Sequence, residues 1–138
     1  MSADVPVYVL DSFALLAYLE GETGMAQVRA ILQKAKDGKC CVITSIINLG
    51  EVAYITEREQ GLSKAQAALG LIEQLPIEVQ SASDEAVFRA AHIKANYPVA
   101  YADAFAISLA QALEGTVLTG DPEFKSVEKI IQLEWLAK

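Results

Sequence analysis

VYVLDSFALL, Val7 to Leu16, carries a short apolar run into an aspartate and then directly into a helical pattern. The device returns near the other end, where VLTGDPEF, Val117 to Phe124, takes an apolar run to Asp121 and then Pro122. Between these two joints the chain alternates β-rich runs with longer helical stretches. Strands are expected over 5–10, 40–44, 77–80, 116–118 and 130–133, and helices over 12–19, 24–36, 45–60, 63–74, 84–95 and 101–113. Gly21, Gly38, Gly61, Pro76, Pro98 and Gly115 fall near the breaks. Alternation of this kind indicates a parallel sheet with helices on both faces, and continuous apolar runs fit strands buried on both sides. No linker, repeat or low-complexity segment interrupts it, so one α/β domain over 1–138 is expected. In such sheets ligands bind outside the carboxyl ends of the strands. Asp11 and Asp121 both stand at such ends, and Ser45 follows a third.

Composition narrows the function. With 53% hydrophobic residues in 138, the chain can bury a sizeable core. Its formal charge of −7 argues against coating nucleic acid through bulk positive charge. That balance fits a basic partner, or acids neutralised by a metal ion. Cys40 and Cys41 are adjacent, point to opposite faces of a strand, and read as small core residues rather than a disulfide. His92 has no spaced cysteine or histidine companions, which excludes a zinc motif. MSADVPVYVL has no basic region and its apolar run stops at Asp11, unlike a secretory leader. No run reaches membrane-span length, so a soluble, cytoplasmic protein without a membrane partner is expected.

Four acids carry the chemistry. Asp11 precedes a helix and Asp121 precedes Pro122, so helix capping accounts for either taken alone. Asp103 lies in VAYADAFAISLAQAL, a helix apolar almost all round, with Ala100, Ala106, Ile107 and Ala110 on its stripe. A charge there needs a partner, because an unpaired buried carboxylate is very costly. Glu51 cannot be a cap. It stands about two turns into TSIINLGEVAYITERE between Ile47 and Ile55, where Thr44 or Ser45 is the expected cap. If the four meet above the sheet, each pair at about 4 Å costs on the order of 4 kcal/mol at an effective dielectric near 20. A hard divalent cation with oxygen ligands removes that cost, and Mg²⁺ or Mn²⁺, as one ion or two, is the natural candidate.

Asp11 in YVLDSFALLAYL, Glu51 in SIINLGEVAY, Asp103 in YADAFAISLA and Asp121 in LTGDPEF resemble, in order and context, the four acidic motifs of the PIN-domain nucleases. The likeness is strongest to the small VapC-type toxins of toxin–antitoxin pairs and covers essentially the whole chain. It implies a three-layer α/β/α sandwich with a central, mostly parallel sheet of four to five strands. It also implies a Mg²⁺- or Mn²⁺-dependent endoribonuclease acting on RNA, a homodimer, and a basic antitoxin partner. Carried over, Asp11, Glu51, Asp103 and Asp121 form the catalytic set. Asp11, Asp103 and Asp121 are the metal ligands, Asp11 and Asp121 foremost, while Glu51 and Asp103 complete the shell or orient the attacking water. Ser12 and Thr119 match the small hydroxyl positions beside the first and last acids, and Ser45 joins them as a positioning residue. Many relatives have a small polar residue two places after the first Asp, where this chain has Phe13.

Other features have plainer readings. Lys34, Lys36, Lys39, Lys125 and Lys129 read as solvated lysines, and His92 as a half-buried helix residue. Tyr54 and Tyr101 could stack on a base, with core packing the favoured reading for each, and LEGETG, Leu19 to Gly24, is assigned to a turn. Three alternatives compete with the toxin reading. A binding module that keeps the fold but not the chemistry has no need of all four acids. A free-standing RNA-processing nuclease would lack a neighbouring antitoxin gene. A phosphohydrolase of the haloacid dehalogenase type expects an acid where Phe13 stands.

Overall fold

The computed structural model describes residues 5–137; Met1 to Asp4, part of the N-terminal stretch read above, and Lys138 lie outside them. Along the chain run β1 (Val7–Leu10), α1 (Ser12–Leu19), α2 (Met25–Lys36), β2 (Cys41–Ser45), α3 (Ile46–Gln60) and α4 (Leu62–Glu73). They are followed by β3 (Glu78–Gln80), α5 (Asp84–Asn96), α6 (Tyr101–Leu113), β4 (Thr116–Thr119), a 3-10 helix (Pro122–Val127) and β5 (Gln132–Trp135). The strands form a five-stranded sheet in the order β3-β2-β1-β4-β5, with every pairing parallel. This is the three-layer sandwich expected.

Successive strand residues point to opposite faces, and two cores result. Val9, Ile43 and Val117 pack under α5 and α6, together with Phe124 and Val127 of the 3-10 helix. Leu10, Val42 and Leu118 pack under α1 and α2, with Val52 of α3 and Ile72 of α4. The right-handedness of parallel crossovers explains the division. From β1 to β3 the chain steps one way across the sheet and lays its helices on one face. From β3 to β5 it steps back and lays them on the other. The order therefore reverses between β1 and β4, whose carboxyl ends send their connections to opposite faces and leave a cleft between them.

Helices α1 and α6 begin and end as the sequence predicts, and β5 does not. It starts at Gln132 rather than 130, because Ile130 and Ile131 close the turns after the 3-10 helix, where their N–H groups donate to Val127 O. Asp121 and Pro122 mark the start of the 3-10 helix in the sequence, and its extent to Val127 appears only in the fold. β3 is exposed at all three residues, so burial on both faces holds for the central strands and fails at this edge.

Candidate metal centre

Sheet register places the first acid. Val9 pairs with Ile43 on one side and Val117 on the other, so two residues further along Asp11 lies level with Ser45 and Thr119. Asp11 is fully buried and caps α1, its Oδ1 accepting from Ala14 N–H at 2.8 Å. Its Oδ2 accepts from the Thr119 hydroxyl. Thr119 Oγ1 accepts in turn from the Asp121 N–H at 3.0 Å. Asp121 then caps the 3-10 helix, Oδ1 accepting from Glu123 N–H at 2.9 Å, with Pro122 in the first helical position as predicted. Capping is thus observed at both joints, and it leaves neither carboxylate saturated, since each oxygen has two lone pairs.

The chain of bonds continues to α6. That helix has no side-chain cap of its own, because Ala100 occupies the N-cap. Glu123 Oε1 accepts from Ala100 N–H at 3.3 Å and so supplies negative charge at the helix N-terminus. Asp103, buried in the first turn of α6, faces the same space. Carboxylate oxygens of Asp103, Asp121 and Glu123 lie within 4.8 Å of one another. Sequence reasoning missed Glu123. Its position depends on a contact 23 residues away, and the signal in the sequence was slight: a second acid one residue beyond Pro122.

Glu51 and Asp11 stand outside that trio, near enough to act on it through charge. Glu51 is half-buried on α3 and accepts from the Tyr54 hydroxyl at 3.4 Å. Burial pushes Asp11 up to about 7; the bonds from Thr119 and Ala14 oppose the shift, and the charges of Asp121 and Glu51 add to it. Asp103 is pushed up to about 8, first by burial, then by the charges of Asp121 and Asp11, a hydrogen bond with Asp121, and Glu51. Without a cation these acids must hold protons near neutrality.

Beneath the acids sits a residue that sequence reasoning also missed. Asn48 is fully buried on α3, and its Nδ2 donates to Ser12 Oγ at 3.2 Å and to Ala102 O at 3.1 Å. Ser12 Oγ donates back to Asn48 O at 3.2 Å. One amide therefore joins α1, α3 and α6 beside Asp11 and Asp103 and one turn before Glu51. Among the described residues Asn48 Oδ1 has no partner, a buried acceptor left open. The signal was an amide three residues before Glu51 on an otherwise apolar stripe. Ser45 behaves differently. It caps α3 and lines a cavity of about 300 Å³ with Gln80, Ser83, Arg89 and Ser108, and none of its hydrogen bonds reaches the acids.

Three further expectations change. Tyr54 and Tyr101 are exposed rather than packed in the core, Tyr54 under Arg58 and Tyr101 edge-on to Phe105. His92 is exposed rather than half-buried.

The donor set fits a hard divalent cation: three carboxylates with convergent oxygens, no sulfur or imidazole, and two neighbouring acids whose charge calls for neutralisation. Fold and site together define an α/β protein with a candidate acidic metal centre at the switch point of a parallel sheet. The PIN domain family model matches residues 8–130, and the chain belongs to that family. No curated protein sequence matches it. Among solved structures it is similar to a chain of VapBC2 from Rickettsia felis bound to a promoter DNA fragment, at 18% identity and TM-score 0.73 over 95% of this chain and 99% of that one. It is similar to a chain of DNA-bound VapBC from Salmonella typhimurium at 19% identity and TM-score 0.71, over 94% and 98%. VapC20 from Mycobacterium tuberculosis, a toxin that cleaves the sarcin-ricin loop, aligns at 15% identity and TM-score 0.70, over 87% and 94%. Among the described residues no helix is long and apolar enough to cross a membrane.

Proposed function

We propose that this chain is a Mg²⁺- or Mn²⁺-dependent endoribonuclease hydrolysing RNA phosphodiester bonds, and the toxin of a toxin–antitoxin pair. The observation that carries the reading is the convergence of Asp103, Asp121 and Glu123 oxygens within 4.8 Å at the switch point, with Asp11 and Glu51 coupled to them by charge. Asp103 and Asp121 would hold the ion, Glu123 would contribute from the 3-10 helix, and Asp11 would act on it directly or through Thr119. The ion, when bound, supplies a more acidic water and stabilises charge on the phosphoryl oxygens. Glu51, outside the tight trio and tethered by Tyr54, orients the attacking water and takes its proton. The water oxygen forms the new bond to phosphorus, the bridging P–O bond breaks, and the departing alkoxide takes a proton from solvent. Ser12 and Thr119 fix the carboxylates; Ser45, on its geometry, serves the helix.

The toxin assignment draws on the likeness to VapBC complexes and to VapC20. A basic antitoxin suits a chain of formal charge −7, and exposed Leu62 and Leu71 on α4 offer apolar surface for it and for a homodimer contact. The reading takes the chain as one PIN-like domain working in the cytoplasm. Titration calorimetry of Mn²⁺ into metal-free wild type, Glu51→Gln and Asp121→Asn tests it without knowledge of the RNA. Binding to wild type that is weakened in both variants is expected. A folded wild type that does not bind Mn²⁺ would return the lead to a silent binding module.

A further inference from the structure

The rim of the acidic cleft is aromatic. Phe13 packs against Gly120, Tyr54 donates its hydroxyl to Glu51, and Trp135 pairs in register with Thr119. These three are 44%, 53% and 41% exposed, and among the described residues the exposed aromatic rings elsewhere are Phe88 and Tyr101. Core packing does not explain them, since each leaves much of its ring in solvent.

Two of them flank a single glycine. Gly120 lies between Thr119 and Asp121, and a Cβ there would stand 2.3 Å from Phe13 Cε1, so the Phe13 ring rests on the bare backbone of the site loop. Gly120 also lines, with Pro122, Lys125 and Trp135, a cavity of about 260 Å³. Lys125 is exposed and, among the described residues, makes no ion pair. Aromatic faces, a cavity and one free ammonium thus adjoin Asp121. A chain of charge −7 cannot draw RNA by bulk attraction, so affinity beyond the metal must come from local contacts. Stacking of unpaired bases on aromatic rings is such a contact, and it tolerates any sequence.

We infer that Phe13 and Trp135 form a stacking subsite for an unpaired RNA base beside the scissile phosphate, with Lys125 meeting the adjacent phosphate. The inference rests on the nuclease reading for its substrate class and adds which side chains receive the base and the phosphate next to the scissile bond. Bases paired in a duplex present only their edges, and cannot enter between or onto these rings. The same pair explains why the residue two places after Asp11 is aromatic here.

Trp135 is the sole tryptophan in the sequence, so its fluorescence reports on the subsite directly. Wild type is titrated in Mg²⁺ with a short single-stranded oligoadenylate, whose integrity is checked on a gel, and with the same strand paired to oligouridylate. Quenching by the single strand, with far less by the duplex, is expected. Phe13→Leu weakens single-strand binding by roughly tenfold, within the range for loss of one base–aromatic stack. Trp135→Leu, followed by anisotropy of labelled oligoadenylate, does the same, and Phe88→Leu binds as wild type. All three retain wild-type Mn²⁺ binding by calorimetry. Absence of quenching, equal quenching by the duplex, or wild-type affinity in Phe13→Leu and Trp135→Leu overturns the subsite even where Mn²⁺ binding stands. Failure of wild type to bind Mn²⁺ sinks the nuclease reading instead, and the quenching then decides the subsite alone.

Discussion

The β1–α1 and β2–α3 joints lie side by side on the carboxyl edge of the sheet, level in register, and each ends its strand on a polar residue that caps the next helix. Ser45 accepts from Ile47 N–H at 3.1 Å and Asp11 from Ala14 N–H at 2.8 Å, both from extended backbone. Serine and aspartate are about equal as caps. They are not equal in burial. A hydroxyl enters the interior at small cost once bonded, whereas burial pushes the Asp11 carboxyl up to about 7. A fold that wanted only a cap would be served by serine at both joints. On the proposed metal reading, the acid at 11 serves through its charge, linked by Thr119 to Asp121, and the cap is a second use of the same group.

The sharpest way to break this comparison is to make the joints alike. Asp11→Ser keeps a capping hydroxyl and removes the charge. Mn²⁺ affinity is expected to fall by roughly 10–100-fold, the range seen when a group supporting a metal ligand is lost. The melting temperature of the metal-free protein near neutral pH should hold or rise, since a buried charge has gone. Calorimetry and a thermal melt on the same preparation read both. Wild-type Mn²⁺ affinity in Asp11→Ser would reduce Asp11 to a cap and dissolve the contrast.

The next effect follows from protons. Asp103 and Asp11 are pushed up to about 8 and about 7, while carboxyls of an unfolded chain titrate near 4. In that window the folded state holds more protons than the unfolded one. Stability of the metal-free protein is therefore full at acid pH and lost as pH rises through those values. A cation binds where the protons leave, so Mn²⁺ should raise the melting temperature more at about pH 8 than at about pH 5. Ser45 does not titrate and adds nothing to the slope. A melting temperature that is flat or rising with pH in metal-free protein would contradict the buried, coupled acids described above.

The two joints also show what a sequence can tell. Strand, acid and helix are contiguous at Val7–Leu19, so the local pattern fixed both elements and marked Asp11. The inward position of Asp103 was legible because its helix is apolar on every side. Glu123 and Asn48 were not, because each acquires its role from partners on other elements: Ala100 for the first, Ser12 and Ala102 for the second. Tyr54 and Tyr101 were misread for a related reason. Aromatic residues on helices usually face a core, and these two lie on helix faces that the other elements leave uncovered. β5 slipped because an edge strand with exposed positions carries a weak apolar signal.

The smallest effect is the other half of the comparison. Ser45→Ala removes the α3 cap, and a loss of about 1 kcal/mol of stability is expected, the usual price of a lost serine cap. Because, among the described residues, the Ser45 side chain bonds only its own helix, and because it lines a cavity with none of Asp103, Asp121 and Glu123, Mn²⁺ binding should match wild type. Chemical denaturation gives the first quantity and calorimetry the second. The informative outcome is the ratio between the variants: a small stability loss without a binding change in Ser45→Ala, against a binding loss without a stability change in Asp11→Ser. Should Ser45→Ala weaken Mn²⁺ as strongly as Asp11→Ser does, register alone would be carrying both residues into one site. The sequence-based grouping of Ser45 with Ser12 and Thr119 would then be right, and the division of labour between the two joints wrong.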